Sequence, residues 1–529
     1  MTTEPNSRNN LPENENSYGM AVTTYEAGNF KRALDLAEER LLHGGDLPRQ
    51  KIHLHLLAAL SLINLGLHSE GVARFELALR LFPLASDLLY NFAVVLSEAG
   101  NYDRARTVYQ ACLRVAPNHA DALWNASELF RVNYNFGIAY CYLKRFEALG
   151  LKRFALWHRL AVCCAHLGLD NEAKAYFERA HIDDPNPVTT WENALYELSR
   201  KNYQAGWALY KDRFLASSSN NVHCESFGLP EWDGTLDQLR NKTLIILPEQ
   251  GLGDQVQFVA ALESLVQKAE SVNAHIVLVA RDELFALFQH SFRHLGVEVY
   301  PFHEGISHHS IVAQHPGALQ MAVGDIPLYA EYITPIPRVY LKVPEAAKTE
   351  ADGWLSKLPQ RSSKKPRYRI GIAWGTSQEN PSAGRSRRNV PVEAFAMLAE
   401  IPEFESGELQ FVSLMIGPLA QKIGGVPELD AIDLSVHLSD YADTAGVMAC
   451  CDLVLTPCTS IAHVAAALGR RVVLLLQHHG DWRWGTNENQ SDWYPCVEIV
   501  RQPRVGDWLT PMQRAHEIIE LAVSDETNE

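Results

Sequence analysis

From Tyr18 to about Leu215, apolar positions recur at the three- and four-residue spacing of amphipathic helices, and the pattern repeats with a period of 34 residues. Gly100-Asn101-Tyr102 with Ala105 returns as Gly168-Leu169-Asp170 with Ala173, and Asn135-Phe136 with Ala139 stands between them. Pro83, Pro117 and Pro185 keep the same register, each where a second helix should stop. Earlier copies open at Gly28-Asn29-Phe30 with Ala33 and at Gly66-Leu67, which gives five or six helix pairs. The pattern then changes. After the polar run Ala216 to Asn221, strand-length apolar runs at Thr243–Leu247, Ala274–Ala280 and Val297–Tyr300 alternate with helical stretches. A second series runs through Arg369–Trp374, Gln410–Ile416, Asp452–Thr456 and Arg471–Leu476. This alternation predicts two parallel, doubly wound sheets.

A glycine at the tight turn, an alanine where paired helices approach and a proline at the end make the helical unit resemble the tetratricopeptide repeat. Such units stack into a superhelix whose concave groove commonly holds an extended peptide, so the resemblance implies a protein partner; a spacer or dimerisation arm is the plainer alternative. Asn91, Asn125 and Asn193 recur near the first helices of their copies and are candidates to clamp an acceptor backbone with their amides, the alternative being ordinary helix-surface residues. The expected layout is a disordered tail over 1–16, repeats over 17–215, a linker over 216–240, a first lobe over 241–360, and a second lobe with a terminal helix over 361–529. That last helix is amphipathic and is expected to cross back and brace the first lobe.

Composition removes several classes of function. A net charge of -16 and a pI near 5.7 over 529 residues oppose nucleic-acid binding, which needs a basic surface. Neither a secretion signal nor a membrane-length apolar run is present, so a cytoplasmic location without membrane insertion is expected. Nine cysteines without framework spacing fit reduced thiols, and no metal-ligand spacing occurs. The histidines from His303 to His315 and His478-His479 are irregularly spaced and expected to be exposed, so neither metal nor cofactor is expected.

Chemistry concentrates after two strands. Thr243–Leu247 runs into Pro248-Glu249-Gln250-Gly251-Leu252-Gly253-Asp254 and a helix, where Gly251 and Gly253 let backbone approach a ligand at the carboxyl end of a strand. The string EQGLGDQVQF, preceded by LPEWDG, resembles the opening of the glycosyltransferase domain in repeat-fused relatives of the heptosyltransferases. The resemblance implies a GT-B pair of Rossmann-like lobes, with acceptor on the first and nucleotide-sugar donor on the second. It also makes Asp254 the candidate general base, the structural alternative being a helix cap.

In the second lobe Thr456-Pro457-Cys458-Thr459-Ser460-Ile461-Ala462-His463 leads from strand to helix, a phosphate-binding arrangement. Thr459, His463 and the AALG at Ala466–Gly469 match the family string, whereas Cys458 replaces its usual aspartate. The donor side is therefore assigned Gly251, Gly253, Trp374, Arg385, Arg387, Arg388, Cys458, Thr459, Ser460 and His463, the alternative for His463 being a packed helix residue. The arginines would neutralise the phosphate leaving group without a metal ion. The aromatic run through Trp482, Trp484, Trp493 and Tyr494 is a candidate to stack on base or sugar near the cleft, core packing being the commoner explanation for any one tryptophan and the one expected for Trp508.

The whole resembles enzymes that glycosylate bacterial proteins, flagellin among them, at Ser or Thr. Loss of the aspartate at 458 is compatible with a CMP-linked nonulosonic acid, while UDP, GDP and ADP sugars stay open. A non-catalytic repeat scaffold or flagellar chaperone with degenerate lobes, and a lipopolysaccharide heptosyltransferase, are the alternatives.

Overall fold

The computed structural model describes residues 13–44, 46–216, 225–302, 308–330, 339–357, 366–376, 388–486 and 488–527. The chain divides into two compact units, Met1–Asp184 and Pro185–Glu529.

The first unit is helical. Its helices pair in order: α1 (Glu13–Glu26) with α2 (Phe30–His43), α3 (Pro48–Asn64) with α4 (His68–Leu81), α5 (Ser86–Glu98) with α6 (Tyr102–Val115), α7 (Ala120–Val132) with α8 (Phe136–Ala148), and α9 (Leu156–Leu167) with α10 (Asp170–Asp183). A sixth pair, α11 (Pro187–Ser199) and α12 (Tyr203–Tyr210), opens the second unit. Every pair turns through a residue in the left-handed region: Gly28, Gly66, Gly100, Tyr134, Gly168 and Lys201. Five residues after each lies a small residue, Ala33, Gly71, Ala105, Ala139, Ala173 and Gly206. The four alanines have no exposed surface, and at the two glycines not even a methyl group fits: a Cβ on Gly71 would lie 2.5 Å from Ile63 Cδ1, and one on Gly206 2.7 Å from Leu198 Cδ2.

The rest of the second unit is two α/β lobes. In the first, β1 (Thr243–Leu247) leads to α13 (Leu252–Phe258) and α14 (Leu262–Glu270), then β2 (His275–Arg281), α15 (Asp282–Phe292), β3 (Glu298–Phe302) and β4 (Leu319–Ala322). These strands form a parallel sheet of order β3-β2-β1-β4. The second lobe takes α16 (Glu345–Ser356), β5 (Tyr368–Ile372), β6 (Leu409–Ser413), β7 (Ile432–Asp433), α17 (Tyr441–Ala449), β8 (Leu453–Pro457), α18 (Ser460–Ala467), β9 (Arg471–Leu476), β10 (Val497–Arg501) and α19 (Leu509–Thr527). Its sheet, also parallel, has the order β10-β9-β8-β5-β6-β7. The helical repeat region followed by a pair of parallel-sheet α/β lobes is the architecture expected from the sequence. The helix α16 packs on α17, so the second lobe draws in residues before 361; Gly446 permits the contact, since a Cβ there would stand 2.4 Å from the Ala347 carbonyl oxygen. The terminal helix α19 packs on β9, β10 and the 392–400 segment of its own lobe, instead of bracing the first lobe, because Met512, Ala515, Ile518 and Ile519 are the buried face there.

Candidate functional site

The strand β1 is apolar from Leu244 to Leu247 and is followed by Pro248, so the chain must turn before α13 can begin. Gln250 makes that turn at φ +54°, a conformation unfavourable for a side-chain-bearing residue, and surrounding bonds hold it. Glu249, 1% exposed, receives Arg213 Nε at 2.9 Å and Arg213 Nη2 at 2.5 Å, and the Gly324 N–H at 3.3 Å. Arg213 also donates to Asp325 Oδ1 at 2.7 Å. Gln250 Nε2 donates to the Tyr210 hydroxyl and to Glu249 Oε1, both at 2.7 Å. This buried ion cluster, legible in no motif, locks the glycine turn.

Asp254 follows in the first turn of α13. Its Oδ2 accepts the Gly251 N–H at 2.8 Å, so the capping role expected as the alternative is filled. Its Oδ1 accepts Arg483 Nη2 at 2.5 Å, across the two lobes. The lobes meet closely here: a Cβ on Gly253 would lie 2.9 Å from His463 Cδ2 and 3.4 Å from Ser460 Cα. Gly253 is thus required by the approach of α13 to α18, with no ligand needed to explain it.

On the second lobe, β8 delivers Cys458, Thr459 and Ser460 to the start of α18. Thr459 Oγ1 lies 3.3 Å from Thr456 Oγ1, and Ser460 Oγ is hydrogen-bonded to the Tyr441 hydroxyl. Trp484 Nε1 donates to Cys458 Sγ at 3.0 Å, and burial pushes the Cys458 thiol up. Arg388 sits in the field of Cys458, then of Asp481 and Asp254, which raises its pKa against the cost of burial. His463 is 4% exposed, packed against Trp484 and Tyr494, with Nδ1 3.0 Å from the Tyr494 hydroxyl. Burial, reinforced by Arg483, pushes its pKa down to about 3, so the imidazole is neutral. Burial also opposes ionisation of Asp481, but Arg483 and Arg388 outweigh it and hold that carboxyl below its usual value.

Asp254, Gly251, Gly253, Arg388, Cys458, Thr459, Ser460 and His463 therefore gather at one junction of α13, α18 and the 481–484 segment. Trp374 is 2% exposed beside Phe395, and its indole Nε1 has no hydrogen-bond partner. Arg385 and Arg387 lie outside the described residues. The tryptophans of the C-terminal run are core: Trp482, Trp484 and Trp493 are buried, and Trp482 packs edge-on to Trp207 and Trp493. Core packing, the alternative to stacking, is therefore what these rings do: Trp482 and Trp493 fasten α12 to the second lobe, and Trp484 packs on His463 and Tyr494. Of the asparagines, Asn91 Nδ2 donates to the Asp87 carbonyl at 2.8 Å and Asn125 Nδ2 to the Tyr90 hydroxyl at 3.2 Å. Asn193 is half-buried on α11, in the second unit. Sequence reasoning passed over Arg483, Asp481 and Gln257; the signal for the first two was the D-W-R-W string, read for its aromatics.

Among the described residues, no group of three or more His, Cys, Asp or Glu could hold a metal ion, and no helix is long and apolar enough to cross a membrane. Models of the tetratricopeptide repeat match residues 56–118, 90–137 and 154–180. Protein FlbA of Caulobacter vibrioides is 26% identical, over 94% of this chain and 82% of its own length. Among solved structures, a glycosyl transferase family 9 protein from Veillonella parvula aligns with 54% of this chain and 98% of its own at 14% identity and a TM-score of 0.38. A tetratricopeptide repeat protein from Parabacteroides merdae aligns with 38% of this chain and 78% of its own at 16% identity and a TM-score of 0.32. The chain thus carries tetratricopeptide repeats ahead of its two α/β lobes.

Proposed function

We propose that this protein is a metal-independent glycosyltransferase of the GT-B kind, which moves a sugar from a nucleotide-sugar donor to a Ser or Thr hydroxyl of a protein held by its repeats. One observation carries the reading: the first turn of α13, which carries the Asp254 carboxylate, packs through Gly253 against the N-terminus of α18, with Arg388 in the field of that carboxylate, where two parallel-sheet lobes face each other at the carboxyl ends of β1 and β8.

In this reaction the acceptor hydroxyl oxygen attacks the anomeric carbon and its proton passes to Asp254. The bond from the anomeric carbon to the phosphate oxygen breaks, and the electron pair leaves on the phosphate. The first-turn amides of α18 and the Arg388 guanidinium take up that negative charge. Neutral His463 supports the packing of α18 instead of supplying charge. A cysteine at 458, closed off by Trp484, suits a donor that does not need a carboxylate there, and a CMP-linked nonulosonic acid is the donor we favour, with flagellin as the acceptor.

Co-expression with flagellin in a host supplying nucleotide sugars, followed by intact-mass measurement, tests this. The wild type should add a discrete sugar mass, and Asp254→Asn should reduce transfer by at least about 100-fold, the scale of losing a general base. A mass gain undiminished in Asp254→Asn removes Asp254 from the chemistry. Capture of flagellin without any mass gain, with the correct donor present, favours the scaffold reading.

A further inference from the structure

We propose that Arg483 is the positioning residue of this cleft: it reaches from the second lobe onto Asp254 of the first, fixes the orientation of that carboxylate, and makes the orientation depend on the lobes meeting. The inference rests on the reading of Asp254 as the base.

A carboxyl group rotates in a broad, two-fold well and needs two anchors to hold one orientation. Asp254 has two, one on each oxygen. The Gly251 N–H holds Oδ2 from within the same helical turn. Arg483 Nη2 holds Oδ1 from the other lobe. Without the second anchor, the cap alone leaves the tilt of the carboxylate plane free within that broad well.

Arg483 is itself held on every side. Its Nη1 donates to Asp481 Oδ1 at 2.8 Å, and its Nε donates to Gln257 Oε1 at 2.5 Å. Its guanidinium lies 4.4 Å from the Trp482 ring centroid, and Trp482 is braced by Trp207 at 5.6 Å and Trp493 at 6.0 Å. Gln257 stands three residues after Asp254 on α13, so the guanidinium grips two side chains of one helix face at once. A lysine could keep the charge but not both contacts, because its donors radiate from a single point. Exposure separates the two roles: the Arg483 side chain is 7% exposed and that of Asp254 22%. The cation is sealed while the carboxylate stays reachable from the cleft.

The test uses the full chain with Arg483→Gln, Arg483→Lys, Asp254→Asn and the Arg483→Gln/Asp254→Asn double variant. Transfer kinetics are measured together with hydrogen exchange over residues 248–258. We expect Arg483→Gln to lower kcat about 10–100-fold with KM for donor and acceptor within about threefold, as for a misplaced catalytic group, and Arg483→Lys to recover part of the loss. In the Asp254→Asn background the same substitution should cost nothing further. Exchange over 248–258 should rise in Arg483→Gln while the remainder of the second unit exchanges as in the wild type; should that variant loosen the whole unit, Arg483→Lys serves the same comparison. Equal fractional losses in both backgrounds, or unchanged exchange at 248–258, overturn the proposal. A wild-type chain that transfers no sugar overturns the transferase reading instead, and the exchange measurement still decides whether Arg483 positions Asp254.

Discussion

Acidification should loosen the second unit through His463, and the size of the effect follows from its surroundings. The ring is 4% exposed, wedged between Trp484 and Tyr494, with Arg483 of the 481–484 segment and Arg388 facing it and Asp481 the opposing charge. Its pKa falls from the ordinary value of 6.5 to about 3. An unfolded chain therefore binds a proton below pH 6.5 that the folded chain refuses. The stability tied to the neutral ring is whole above pH 6.5 and declines as pH falls towards 3. At pH 5 the loss from this residue is about 2 kcal/mol, from one and a half units at 1.36 kcal/mol each. The measurement is urea unfolding from pH 8 to pH 5, followed by tryptophan fluorescence, since most of the eleven tryptophans belong to the second unit. His463→Gln should start less stable at pH 8, having lost packing, yet decline about 2 kcal/mol less by pH 5. The comparison matters because other buried groups, His158 with its pKa pushed down to about 4 by burial among them, titrate in both proteins. Parallel curves for wild type and variant would refute the argument.

Two further substitutions probe the frame. In Gly206→Ala, the added methyl meets Leu198 Cδ2 and Cγ at 2.7 Å and the Leu198 backbone nitrogen at 3.1 Å, so overpacking of about 1–3 kcal/mol should exceed the helix-propensity gain of about 1 kcal/mol and lower the melting temperature. A raised melting temperature would show that the helix pair closes less tightly than described. Arg213→Leu strands the Glu249 carboxylate in the interior and should cost about 3–5 kcal/mol in urea unfolding, while Arg213→Leu/Glu249→Leu should recover much of it; equal losses in the two would show that the pair matters by shape alone.

These experiments separate what the sequence displays from what it hides. The repeat is visible because its turn and its close contact recur at a fixed interval, but the visible residues are only its commonest solutions. Tyr134 and Lys201 occupy the left-handed turn at φ +60° and +62° as Gly28, Gly66, Gly100 and Gly168 do elsewhere, and Gly71 and Gly206 take the place of alanine where space is tighter still. What repeats is a backbone angle and a distance, and residue identity follows them loosely. The sheets were legible for a similar reason: β1, β8 and β9 are buried on both faces over most of their length and so read as nearly continuous apolar runs, and β5 does so apart from Arg369.

The site is different in kind. Asp254 and the α18 start are local, a turn followed by a helix, and the sequence displays them as motifs. The group that fixes Asp254 lies 229 residues away, inside a string whose tryptophans draw attention to packing. The Arg213–Glu249 pair that locks the same turn joins a helical segment to a strand end 36 residues on, with nothing periodic to announce it. Sequence motifs therefore nominate the proposed base, whereas the residues that hold it come from wherever the fold has brought a rigid surface within reach. Gly253 shows the two meeting at one position: its glycine reads as a ligand-binding turn, yet the space it leaves is filled by His463, and that same space is what brings the second lobe, and Arg483 with it, close enough to grip Asp254.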